Sequence, residues 1–278
     1  MKTRNLKWIA IFCIATMVAF VSCKKDKDES SDPDLKLTKL DSEAEYAFEQ
    51  LDDMADEAYA DLTTKSKSAD LLQGIFGPCA TKTIDTVSIP HVLTIDFGTT
   101  NCLCNDGRNR RGQIILNYTG HYNDSGSYKS FTFNNYFVND NQILGTKTKT
   151  NNGKNTAGNW TFSTVVNGQV IFAGNADTIS WNANRNIEWI AGANTPTRFD
   201  NEYLITGSSS GTKLNNTSYT KQITTPLHKK VSCHNFVSGI VVVTPSNKPQ
   251  RIIDYGNGAC DNLAQITING NTFTIVLH

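Results

Sequence analysis

The sequence predicts a mainly β protein: a long-stranded antiparallel meander, forming an open twisted sheet or a partly closed barrel, with one N-terminal α-helix. Three observations carry this. Past residue 71 the chain holds 28 Asn and 27 Thr and no methionine, and Gly, Asn and Asp cluster at short intervals, as strands joined by turns require. Alternation is explicit where Ile114, Leu116 and Tyr118 point one way and Gln113, Asn117 and Thr119 the other, so one face of the sheet is wet. Only residues 41–64 carry a sustained helical period.

Taken in order, residues 1–22 read as a lipoprotein signal peptide. Lys2, Arg4 and Lys7 precede an apolar run of 14 residues from Trp8 to Val21, shorter than the roughly 20 a spanning helix needs. The block Phe20, Val21, Ser22, Cys23 resembles a bacterial lipobox, with Phe20 in place of the usual Leu. That resemblance implies acylation of Cys23 and a membrane partner through the lipid. Residues 23–40 open on Lys24, Lys25, Asp26, Lys27, Asp28 and Glu29 and read as a flexible charged tether, because such a stretch has little to bury against its ordering entropy.

Residues 41–64 read as an amphipathic helix, with Ala44, Ala47, Phe48, Leu51, Met54, Ala55, Ala58, Tyr59 and Leu62 on one stripe. Ser42 and Glu45 are spaced as a capping box. The stripe is expected to dock on the domain that follows, and the carboxylates Asp52, Asp53, Asp56 and Glu57 to form a solvated face.

Residues 71–278 read as the antiparallel β domain. Val138-Asn139-Asp140-Asn141, Val166-Asn167-Gly168-Gln169 and Ile268-Asn269-Gly270-Asn271 share the pattern of a two-residue hairpin turn, whose central residues take positive φ. No second long helix follows, which excludes a parallel α/β fold and its nucleotide crevice.

The formal net charge of zero is a cancellation: +3 in residues 1–22, −8 in residues 24–70 and +5 in residues 71–278. No region is basic enough to suggest a nucleic-acid partner.

The domain keeps five cysteines, Cys79, Cys102, Cys104, Cys233 and Cys260, and an exported chain favours pairing. Cys233 with Cys260, and Cys79 with either Cys102 or Cys104, are the expected bridges. A soft-metal site from Cys102, Cys104, Cys233 and His234 is disfavoured by its C-x-C spacing. The Asp254, Gly256, Gly258, Asp261 turn is thin ligation for calcium, and Arg108, Arg110 and Arg111 read as a solvated hairpin end. Neither a nucleophile elbow nor a metalloprotease frame is present, so no catalytic residue, metal or cofactor is expected. Trp160, Trp181 and Trp189 lie on strands rich in Asn and Thr. Rings amid amides suit sugars and equally suit a sheet core, so these three are the candidate ligand contacts.

Segments 106–122 (the Asp106-Gly107-Arg108 turn and alternating strand), 133–148 (strand, Asn139-Asp140 turn, then Gly145 to Thr148) and 254–277 (Asp254-Tyr255-Gly256, Cys260-Asp261-Asn262, then Ile268-Asn269-Gly270) together resemble a pattern in predicted lipoproteins of Bacteroidota. The resemblance spans about residues 85–277. It implies an outer-membrane or cell-surface location and a β architecture, and carries over no site residue. The expectation is a non-enzymatic binding or adhesion module with a glycan or envelope-protein partner; the alternatives are a structural or lipid/lipoprotein carrier protein and, third, a hydrolase.

Overall fold

A computed structural model describes residues 33–63, 74–120, 124–195, 197, 199–213 and 216–277. Residues 1–32, including Cys23, lie outside the described residues, as do His121 and His278. Among the described residues one α-helix, α1 (Pro33–Thr63), precedes fourteen strands, with single 3-10 turns at Gly77–Cys79 and Ala173–Asn175. The first seven are β1 (Thr81–Asp85), β2 (His91–Asp96), β3 (Cys102–Leu103), β4 (Asn109–Tyr118), β5 (Tyr128–Val138), β6 (Asn141–Lys154) and β7 (Trp160–Ile171). The rest are β8 (Thr178–Ala191), β9 (Glu202–Lys213), β10 (Ser218–Lys230), β11 (Phe236–Pro245), β12 (Arg251–Asn257), β13 (Leu263–Ile268) and β14 (Asn271–Val276).

All belong to one antiparallel sheet in sequence order, with only the short β3 paired off the main path, against β4. The sheet is open: β1 and β14 are its two edges. The meander follows from local turns. Asn139 and Asp140 take φ of 49° and 63°, and Asn269 and Gly270 take 50° and 79°, so both expected two-residue hairpins form.

The Asn167-Gly168 pair does not turn. It lies inside β7, where Gly168 faces Gly145 on one side and Trp181 on the other. The glycine is needed for a different reason: a Cβ there would stand 2.2 Å from Cζ of Phe48, so its bare backbone is the seat of the helix's central ring.

The helix starts before the predicted boundary. Residues 33–40, read as tether, are its first turns; Pro33 suits a first helical position and Leu40 is buried. Ser42 and Glu45 consequently sit inside the helix and cap nothing. The stripe from Ala44 to Ala58 is buried as expected, whereas Tyr59 and Leu62 stay exposed.

α1 runs across the strands on one face of the sheet. Its contacts pass from Lys221 of β10 at Asp41, through Arg185 of β8 at Glu45 and Lys147 of β6 at Asp52, to Lys129 of β5 at Asp56 and Lys82 of β1 at Asp61. That face is the core side, where Phe48 stacks on Trp181 (centroids 5.6 Å) and meets Phe133 edge-on. Two loops reach the side of α1 turned away from the sheet: the Arg108 guanidinium lies 3.9 Å from the Tyr46 ring centre, and the His234 ring 6.0 Å from it. Each loop adjoins a cysteine pair at bridging distance, Cys79 with Cys102 and Cys233 with Cys260, with Cα separations of 5.6 and 5.5 Å. Cys104 keeps a free, buried thiol.

Candidate functional site

The side chains able to do chemistry gather along one flank of α1. Asp41, Glu45, Glu49, Asp52 and Asp56 recur three and four residues apart, on one side of the apolar stripe. The opposing cations come from inward positions of the strands, in alternation with outward Thr, Asn and Gln. Lys221 donates to Asp41 and Glu45, both at 2.6 Å. Arg185 donates to Glu45 at 2.7 Å and to the Ser209 hydroxyl at 3.2 Å. Lys147 donates to Asp52 at 2.7 Å and to the Phe48 carbonyl at 2.8 Å, and Lys149 stands 3.8 Å from the same carboxylate. The acids thus form an ionic seam with the sheet: of the four carboxylates expected on a solvated face, Asp53 and Asp56 are exposed, whereas Asp52 turns to the sheet and Glu57 accepts the Ile75 N–H at 2.8 Å.

Burial alone would raise these carboxylates. For Glu45 it is outweighed by Lys221 and Arg185, which hold the group at about 2, and Lys147 and Lys149 hold Asp52 well below its usual range. Asp41 goes the other way: burial, aided by Glu45, raises it despite Lys221. Desolvation on this crowded flank also pushes Glu49 up to about 7, with Glu45 adding to it, although the residue is exposed. Every member but Glu49 has a close, charged partner, so the seam is built to hold the helix rather than to pass protons.

Beyond this flank the inward face carries a row of half-buried rings. Trp160 of β7 faces Trp189 of β8 in register, and Trp189 faces Tyr203 of β9, with centroids 5.8 Å apart in the second pair. Lys229 of β10 follows opposite Tyr203 and Phe236, and Phe236 packs edge-on against Tyr255 of β12. Lys154, exposed, holds its ammonium 5.0 Å from the Trp160 ring centre. Two shallow clefts flank the helix. One encloses about 300 Å³, counted out to bulk solvent, among Tyr118, Lys129, Lys149, Asn151 and Phe162. The other encloses about 390 Å³ among Asp41, Tyr219, Lys221, Arg251 and Tyr255.

The three tryptophans therefore separate. Trp181 is 2% exposed beneath Phe48 and is a core residue, so it is withdrawn as a ligand contact. Trp160 and Trp189 pair directly and keep part of their surface. The amides of β8 lie on the other side of the sheet: Asn182, Asn184 and Asn186 alternate with Trp181, Ala183 and Arg185 and are exposed on the opposite face. Sequence adjacency of rings and amides becomes separation by the thickness of the sheet.

One member of the arginine knob is turned inward. Arg110 is fully buried, forked onto Asp106 at 2.7 and 2.6 Å and bonded to Gln50 of the helix at 3.0 Å. Arg111 stacks 3.8 Å from the Phe137 ring centre and pairs with Asp140. The signal was available: Arg110 has the same parity as Ile114 and Leu116. Asp254 and Asp261 accept backbone N–H groups from Gly256 and Leu263 at 2.9 and 3.0 Å, which accounts for that turn without an ion. The Ser208–Ser210 run is part of β9. His228 contacts Glu202 at 2.7 Å, and His91 lies against Tyr118. Among the described residues no group of His, Cys, Asp or Glu is arranged to hold a metal ion. No family model, curated protein or solved structure matches this chain.

Proposed function

We propose that this protein is a lipid-anchored envelope lipoprotein of the kind it resembles, acylated on Cys23 and displayed at the outer membrane or cell surface. In this reading its β domain is a non-enzymatic binding or adhesion module, with glycans as ligand class and the Trp160–Trp189–Tyr203 row as contact surface. The carrying observation is that Trp160, Trp189 and Tyr203 are successive register partners on the inward face; neighbouring half-buried rings offer apolar faces to the C–H surface of a sugar. A lipid or lipoprotein carrier has less support, because α1 covers the middle of the inward face and the two shallow clefts beside it carry charged residues, Lys129 and Lys149 in one and Asp41, Lys221 and Arg251 in the other.

Fatty-acid labelling of wild type against Cys23→Ala tests the anchor, and label retained by the variant refutes it. Glycan binding tests the module: Trp160→Ala and Trp189→Ala are expected to abolish capture while leaving the melting temperature within a few degrees of wild type. Capture that persists in both variants overturns the assignment of this row.

A further inference from the structure

The two sheet edges are protected very differently. At β1, Lys82 pairs with Asp61 of the helix and Asp85 accepts N–H groups from Val87 and Ser88 at 2.8 and 3.2 Å, so charges and a turn guard that edge. At the other end, residues 263–277 contain no charged side chain and no proline, and β14 pairs with β13 without a register shift. These are the features that natural edge strands normally avoid. Large apolar side chains are also exposed here: Leu263 at 44%, Phe273 at 55% and Val276 at 55%.

The direction of the open hydrogen-bonding groups can be assigned. Leu277 N–H donates to the Asn262 carbonyl at 2.7 Å, and successive residues of a strand alternate in direction. Ile275 and Phe273 therefore bond toward β13, and the N–H and C=O groups of Thr272, Thr274 and Val276 face the open edge.

We propose that β14 is a homodimer interface, joining two copies edge to edge, antiparallel, about a two-fold axis at Thr274. The occupant is a second copy because the edge is uncharged, so self-pairing carries no like-charge penalty, and because this register is self-complementary. Thr274 meets Thr274, and Thr272 meets Val276 in both directions, each pair exchanging N–H···O bonds. Phe273 then lies beside Ile275 of the other copy on the inward face, next to Ile266, which is already buried. The register also covers Val276 with Thr272 on the outward face.

Sedimentation of the full chain over a concentration series is expected to show a monomer–dimer equilibrium, and Thr274→Lys, which sets two ammonium groups at the axis, to shift it to monomer without lowering the melting temperature. Oxidative cross-linking fixes the register. Thr274→Cys is expected to form a covalent dimer, since opposed residues of a bonded pair stand about 5.5 Å apart at Cα, within disulfide reach; Thr272→Cys, opposite Val276, is not. A monomer at every concentration, or a dimer unaffected by Thr274→Lys, overturns the proposal, and equal cross-linking of both cysteine variants overturns the register. None of these readouts depends on a glycan.

Discussion

Replacing Asp52 with Asn tests whether the ionic seam holds α1 to the sheet. Lys147 is 4% exposed and Asp52 19%, and the ammonium has two oxygen partners, the Asp52 carboxylate and the Phe48 carbonyl. Asp52→Asn leaves Lys147 with neutral partners only and also takes the carboxylate away from Lys149, 3.8 Å from it. Breaking a buried pair from one side costs about 3–5 kcal/mol; the retained Phe48 carbonyl and the new amide oxygen place this case near 3 kcal/mol. With a urea slope near 3 kcal/mol/M for a chain of this size, the midpoint falls by about 1 M. Trp181, stacked on Phe48, reports the transition by fluorescence. Lys147→Met in the Asp52→Asn background recovers part of the loss, because the better buried of the two cations facing the lost carboxylate is then removed and Lys149 remains, and the double-mutant cycle returns a coupling of about 1–3 kcal/mol. The pH dependence has a fixed sign. Asp52 is held below its ordinary value of 3.8, so its contribution is fully present above about pH 4 and is lost as the pH falls through the lowered folded value. Asp52→Asn should therefore flatten the acid limb of the stability curve. A loss below about 0.5 kcal/mol would reduce the pair to a surface contact and refute the reasoning.

Glu49 predicts the opposite slope. Its folded value is raised to about 7 from 4.5, so stability present below about pH 4.5 declines as pH rises through 7; Glu49→Gln should raise the melting temperature at about pH 8 and leave it unchanged near pH 4. Gly168→Ala should cost about 1–3 kcal/mol by overpacking Phe48, and Phe48→Leu in the same chain should restore part of it; no loss in Gly168→Ala would remove Phe48 from that seat. Cys104 is 3% exposed and burial pushes its thiol above the usual range. It should resist alkylation in the folded protein and react on unfolding without reductant, whereas labelling of Cys79, Cys102, Cys233 or Cys260 under those conditions would contradict the pairing.

Local rules read most of the fold. The helix stripe, the strand alternation and the Asn139-Asp140 and Asn269-Gly270 turns each depend on a handful of neighbouring residues, and each appears where the residues place it. The Asn167-Gly168 misreading is instructive because the dipeptide is as good a turn signal as the other two; what decides it is Phe48, some 120 residues earlier in the chain, whose ring needs a residue without Cβ. Trp181 fails as a ligand contact for the same reason, since the ring that covers it belongs to the helix. Arg110 and the lysines of β6 were legible in principle. Carrying the inward parity of Ile114 back to Arg110, or asking which face Lys147 and Lys149 share, would have turned them toward the core.

The acids of α1 and the basic residues of the strands pose the larger problem, because neither set is informative alone. On an isolated helix, Asp41, Glu45, Asp52 and Asp56 beside an apolar stripe read as the wet border of an amphipathic face. On isolated strands, inward Lys147, Lys149 and Lys221 read as faults in the hydrophobic alternation. Placed together, each set removes the anomaly of the other: Lys147 and Lys221 are tolerated inside the sheet because the helix brings carboxylates within 2.7 Å, and Glu45 and Asp52 are tolerated under the sheet because Lys221, Arg185, Lys147 and Lys149 hold them ionised. The −8 of residues 24–70 and the +5 of residues 71–278 are thus partly the two sides of one contact. The same contact fills the ionic flank with α1, and the half-buried ring row from Trp160 to Tyr203 lies beyond it on the inward face.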